Sequence, residues 1–215
     1  MNVLGHASVA LAWGGDDPEF VLGAVLPDLA SMVDVRVDRS RLGGRIGDGV
    51  RCHIEADAVF HDHPEFRAGS AALRMDLAEQ GLHRGPARAV AHAGWELMLD
   101  GTLVGTPAEM AYWQALDVGE RALEAIDEPG RGRWLGLLAH RDRDRRPRLR
   151  YDDPRWVAER LHALLARRPR LRFPDRQVPV VTRVLDDHVG HVARVAPAVL
   201  AATAGPHVRA RHRSV

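Results

Sequence analysis

The chain has 215 residues, 46% of them hydrophobic and only 5% aromatic, so it is long enough for one well-buried core made mainly of Ala, Leu and Val. Thirty basic residues, all arginine, against 29 acidic ones leave a formal charge of +1, which gives no general electrostatic reason to expect nucleic acid or a membrane surface as partner. The single cysteine, Cys52, excludes an intrachain disulfide and a cysteine-based zinc knuckle and fits a reducing, cytoplasmic setting.

Residues 2 to 13 read as a short buried helix whose only titratable side chain is His6. This apolar stretch ends at Gly14-Gly15-Asp16-Asp17, too short to span a bilayer and without the basic start of a signal peptide. Asp16-Asp17-Pro18-Glu19 reads as a cap with proline in the first helical turn, leading into an apolar run that Pro27-Asp28 interrupts. Residues 34 to 48, rich in Asp, Arg and Gly, read as an exposed loop, followed by a central helix from about 48 to 62. Helical spacing continues over 65 to 80, stopped by Gly81, and over 86 to 100, with Gly101 placed as a C-cap glycine. Further helical runs cover 106 to 127, 131 to 140, 153 to 167 and 176 to 203. RRPRLR occurs twice, at 145 to 150 and 167 to 172, which is no structural repeat, and the basic tail from Gly205 reads as disordered. With no sustained period-two alternation, the expectation is an all-α, single-domain helical bundle over residues 1 to 204, with an internal metal site.

That site rests on the stretch GVRCHIEADAVFHDHP, residues 49 to 64, which carries His53, Glu55, Asp57, His61, Asp62 and His63. Side chains four apart share one helix face, so His53, Asp57 and His61 form a polar stripe, while Pro64 turns His63 out of helical geometry. His92 and Glu96 repeat the spacing in another apolar run, where a buried unpaired carboxylate would be costly. Two such pairs on facing helices supply four ligands for zinc, manganese or iron, with His63 or His61 as a fifth. Metal ions there would polarise a phosphoryl group and generate a hydroxide nucleophile, with Asp57 the carboxylate suited to bridge two of them. Each residue also has a plainer reading: His6 as a satisfied core histidine, Asp28 as a helix N-cap, His53 and Asp57 as an exposed ion pair. Glu55 points away from the stripe; Asp100 reads as a ligand-orienting or helix-end residue; Asp187, His188 and His191 make an isolated set on the last helix.

The pattern His53-x3-Asp57-x5-His63, followed by His92-x3-Glu96, is similar to the ligand series of the zinc-dependent phospholipase C and single-strand nuclease superfamily, with His6 and Asp28 in matching order. By that resemblance His63, His92 and Glu96 would hold one metal and His6, Asp28, His53 and Asp57 the rest. Residues 29 to 52 lack the further histidine of that family, which points to one or two ions rather than three. A broader resemblance links MNVLGHASVALA, GAVLPD, GVRCHIEADAVFHDHPEFR and RAVAHAGWELMLD to the acyl carrier protein phosphodiesterases, helical enzymes related to the HD phosphohydrolases. It implies a divalent-metal phosphodiesterase that releases 4'-phosphopantetheine from an acidic carrier protein, with His6, Asp28, His53, Asp57, His63 and Glu96 on the family's pattern. Ile54, His61 and His92 depart from it, the last two exchanging carboxylate for imidazole. The candidate catalytic residues are Asp57 and Glu96, with Arg51 and Arg88 to hold phosphate. The alternatives are a phospholipase C-like or nucleotide phosphoesterase and a non-catalytic scaffold stabilised by metal.

Overall fold

A computed structural model describes residues 1–139, 146 and 148–211, of which 206–211 by backbone alone. It is all-α: among the described residues the only β pairing is an isolated bridge between Val37 and Ile126. The helices, in chain order, are α1 (Val3–Gly14), α2 (Pro18–Met32), α3 (Gly44–Asp62), α4 (Pro64–Glu79), α5 (Arg84–Gly101), α6 (Pro107–Asp117), α7 (Glu128–Ala139), α8 (Pro154–Ala166) and α9 (Val178–Arg211). The chain divides into two compact units. One, the α1 unit, comprises Asn2–Val59, Gly105–Arg148 and the chain from Ala202; the other, the α5 unit, comprises Met1, Phe60–Val104 and Leu149–Ala201.

In the α1 unit, α1 buries Val3, Leu4, Ala7, Val9, Ala10 and Trp13, an almost all-round apolar surface that only a helix wrapped by others can carry. It packs on α2 and α6, and the Trp13 indole N–H donates to the Ala204 carbonyl at 3.0 Å. The α2 start follows the sequence closely: the Asp17 carboxylate accepts from the Glu19 and Phe20 amides, and Pro18 takes the first helical position. Pro27 does not end the helix, which runs on to Met32. The missing N–H costs one bond in the ladder, the one to the Gly23 carbonyl, and burial of nearly every residue from Phe20 to Ala30 outweighs that loss.

Gly23 and Gly49 let α2 and α3 touch backbone to backbone: a Cβ on Gly23 would run into the Ile46 carbonyl, and one on Gly49 into the Phe20 carbonyl. This contact explains why α3 starts at Gly44, inside the segment read as loop, since Ile46 and Val50 are buried. The run from 106 to 127 is also not one helix. α6 stops at Asp117 and a tight 3-10 turn follows, because Gly119 lies against Leu138 and its carbonyl accepts the Trp134 indole N–H at 3.0 Å. His140, and Arg145 and Pro147 of the first RRPRLR copy, lie outside the described residues.

In the α5 unit, α5 is the hub. Gly94 faces Leu73 of α4, Leu161 of α8 and Leu185 of α9, and Gly69 of α4 leaves room for the Trp95 indole. Gly81, at φ +87°, ends α4 as expected. Gly101 is not a left-handed cap: it is the last residue of α5, and it is small because the Tyr151 carbonyl occupies the space of its Cβ. Gly85 similarly accepts the carbonyl of Arg170, which sets the second RRPRLR copy against the start of α5. α9 continues past Gly205 and Pro206 to Arg211, beyond the expected fold boundary, although both residues are unfavourable inside a helix. The remaining tail residues, 212 to 215, lie outside the described residues.

Replacing Gly49 by Ala forces two backbones apart where neither can yield, so the variant should lose about 1–3 kcal/mol of stability or more. A urea titration beside wild type measures this, and Gly43→Ala, where a Cβ meets nothing, is the control that should stay near zero.

Candidate functional site

Among the described residues two groups of ligand-type side chains come together, one in each unit, and each group's three ligand atoms lie within 4.8 Å of one another. In the α1 unit they are His6 of α1, Asp28 of α2 and His53 of α3. The His6 and His53 rings stack at 3.9 Å and 25°. His6 Nε2 lies 3.8 Å from an Asp28 oxygen and 3.5 Å from Asp57 Oδ1, which brings Asp57 to the same place. His53 Nδ1–H donates to the Ala24 carbonyl at 2.8 Å, so that the proton resides on Nδ1 and Nε2 carries a lone pair. The accepting carbonyl is one residue beyond the gap that Pro27 opens in α2.

This group is dry. His6 is 1% exposed and His53 9%, and neither ring nitrogen of His6 makes a hydrogen bond of ordinary geometry. Burial pushes the His6 imidazole down to about 3, against the opposing pull of Asp57, and burial likewise lowers His53. Burial alone would raise the Asp57 carboxyl, but its interaction with His6 wins and holds it below its usual value. Two neutral imidazoles beside ionised carboxylates make a donor set for a divalent cation, and the lone-pair nitrogen of His6, unbonded here, is the feature such an ion would satisfy. Cys52 takes no part: burial pushes its thiol up to about 12.

In the α5 unit the group is His61, from the last turn of α3, with His92 and Glu96 of α5. Both imidazole Nε2 atoms converge on the same carboxylate oxygen, Glu96 Oε1, at 3.1 Å from His61 and 3.2 Å from His92. The Met1 amine lies 3.5 Å from that oxygen. Ligands held at zinc-like distances around a tetrahedral ion stand about 3.3 Å apart, so these spacings suit a shared cation once the rings carry their protons on Nδ1. Glu96 is 15% exposed and His92 51%, which makes this the more open of the two groups. Burial would raise the Glu96 carboxyl, but the two imidazoles overcome it and keep the group ionised well below the usual carboxylate range.

Aromatic packing orients these imidazoles. Phe60, Phe66 and Trp95 form a cluster with centroids 4.4 to 5.8 Å apart, and the Phe66 ring stands edge-on to both His61 and His92 at 5.2 Å. The two imidazoles stack on each other at 5.1 Å and 13°. Each such ring pair is worth roughly 0.5–1.5 kcal/mol.

The expected residues thus separate. His6, Asp28, His53 and Asp57 gather as a set, and His92 and Glu96 gather with His61. His63 lies outside both groups: it is the N-cap of α4, and its Nδ1 accepts the Glu65 amide at 3.2 Å. Pro64 is the first residue of that helix, which is why the histidine before it serves as a cap. Arg51, 68% exposed, pairs with Asp48 one turn earlier. Arg88 lines a groove with His92. The last-helix set is structural, His188 bonding Asp76 at 2.6 Å and His191 accepting from Arg194. Asp100 is wholly buried, and Asp28 lies inside α2 rather than at its start. Compared with known proteins, the chain matches no family model, no curated protein and no solved structure.

The protonation pattern fixes the acid behaviour of chelator-treated protein. Between its ordinary value of 6.5 and about 3, His6 binds a proton in the unfolded chain but not in the folded one, so stability falls as pH drops through that window, by up to about 1.4 kcal/mol per pH unit. The depressed carboxyls of Glu96 and Asp57 add a loss below their ordinary values of 4.5 and 3.8. Urea midpoints from pH 7 to 4 should fall for wild type, and His6→Asn should flatten the curve above pH 4.5.

Proposed function

We propose that the chain is a metal-dependent phosphoric ester hydrolase of phosphodiesterase type. The observation that carries this reading is the partly open His61–His92–Glu96 group, whose imidazoles converge on one ionised carboxylate oxygen. His6, Asp28, His53 and Asp57 would hold a second ion in the drier group. Zinc or manganese suits sets of two imidazoles and carboxylates, with iron as the third choice. A divalent ion bound there supplies Lewis-acid polarisation of a phosphoryl oxygen and lowers the pKa of water.

The chain's own residues supply the rest. Glu96 and Asp57 stay ionised at neutral pH, which fits them to neutralise and orient cations and makes them poor general acids. His53 is locked in one tautomer by Ala24. Arg88, one turn before His92 on α5, is placed to orient a phosphate; Arg51, already paired with Asp48, is less suited to it. The resemblance to acyl carrier protein phosphodiesterases extends the reading to release of 4'-phosphopantetheine from an acidic carrier protein in the cytoplasm. No described helix is long and apolar enough to cross a membrane.

Elemental analysis and hydrolysis of bis-p-nitrophenyl phosphate test this together. Wild type should hold roughly one or two equivalents of zinc, manganese or iron. His92→Ala and Glu96→Gln should each lose metal and reduce turnover by roughly 100-fold or more, whereas Arg51→Ala should change it less than about threefold. Protein that takes up no metal on reconstitution and hydrolyses nothing would sink the reading.

A further inference from the structure

Arg84, Arg88, His92 and Glu96 stand at successive i,i+4 positions on α5, so one helix face carries two guanidiniums and then two members of the ligand group. Arg74 of α4 joins them across a groove of about 360 Å³, in the size range of small-ligand sites, that also reaches Ser70 and His92. No carboxylate lines this groove. Among the described residues, none of the three arginines makes an ion pair or a side-chain hydrogen bond, although the chain has nearly one acidic residue per basic one. Elsewhere arginines do find carboxylates: Arg45 on Asp17 at 2.6 Å, Arg146 on Asp117 at 2.9 Å, Arg155 on Glu159 at 3.0 Å.

Three exposed guanidiniums around one concave space repel one another, and the protein supplies nothing to offset that repulsion. An anion that offers several oxygens does so, since the guanidinium fork matches phosphate oxygens two at a time. Ser70, whose hydroxyl donates to the Arg67 carbonyl at 3.4 Å, also lines the groove. Along α5, Arg88 lies about 6 Å and Arg84 about 12 Å from His92 in helix rise, which separates the positive stretch from the ligand group by one to two turns. An anion held there is therefore adjacent to the ligand group without replacing it.

We propose that Arg74, Arg84 and Arg88 form a subsite for a phosphoryl group bearing at least two negative charges, carried by the substrate beside the singly charged ester that is cleaved, which favours a phosphorylated or diphosphate-bearing small molecule over the carrier protein. This rests on the hydrolase reading for its meaning as a substrate subsite, but the anion site itself does not require metal. It differs from a surface that receives an acidic protein, for which scattered carboxylates would suffice.

The test is calorimetric titration of the full chain with pyrophosphate, and separately with a short poly-glutamate peptide, in chelator-treated and manganese-loaded protein. Pyrophosphate should bind in both, and the double variant Arg84→Gln, Arg88→Gln should weaken it at least tenfold. Arg74→Gln should weaken it severalfold, and Arg155→Gln should leave it unchanged. All four side chains are exposed, so thermal unfolding should confirm that each variant folds. Metal content of the double variant should equal that of wild type, which separates this site from the ligand groups. Absence of pyrophosphate binding overturns the proposal, as does binding that ignores the arginine substitutions, and neither result bears on the metal reading. Tighter binding of poly-glutamate than of pyrophosphate overturns it in favour of a protein-docking surface.

Discussion

An imidazole buried from solvent pays heavily to take up a proton, and His6, 1% exposed, is in that position. Its burial is a consequence of α1, a helix with so few polar positions that it must be enclosed, and His6 is the one titratable group enclosed with it. Everything near it follows from that cost. The His53 ring stacks on it in a fixed tautomer, and two carboxylates lie within 3.8 Å, close enough to favour positive charge. Desolvation nevertheless outweighs their attraction, as the direction of the His6 shift shows. A site that attracts positive charge but resists a proton is suited to a divalent ion, which brings more charge and several ligands to offset its desolvation.

The α5 unit solves a related problem in the opposite way. There the buried member is a carboxylate, Glu96, and the imidazoles that surround it are half-exposed. The ring cluster of Phe60, Phe66 and Trp95 packs edge-on against those imidazoles, so apolar packing contributes to positioning the polar group. That arrangement leaves one side of the imidazoles accessible. Three of the chain's few aromatic residues stand at this group, and much of the remaining core uses Ala, Leu and Val.

Helical periodicity and cap residues carried most of the secondary structure: Asp17-Pro18 and Gly81 act as they read in sequence. Pro27, Gly101 and the start of α3 did not, each for a tertiary reason. A local rule assigns proline and glycine to helix ends, but Pro27 is tolerated inside a largely buried helix, and Gly101 answers to the Tyr151 carbonyl, a partner fifty residues away. The i,i+4 pairs were legible because spacing on one helix is a local property. The choice between His61 and His63 was not, since Pro64 says only that His63 leaves the helix, and not that its ring turns to cap the next one. Arg74 and Arg84 were missed for the same reason: charge in sequence does not show which arginines have partners.

A formal charge of +1 hides how that charge is arranged. With no lysine, every positive side chain is a planar, permanently charged fork, and its behaviour is set by whether a carboxylate lies within reach. Where the fold provides one, as for Arg45, Arg146 and Arg155, the pair is local and nearly neutral at a distance. Where it provides none, the field persists, and on α5 it persists along a face that ends at His92 and Glu96. Exposed ion pairs are worth only about 0–1 kcal/mol each, so leaving three arginines unpaired costs the fold little. The same three charges in one groove act together on an incoming polyanion, which makes local imbalance, rather than net charge, the electrostatic property of this chain that bears on function.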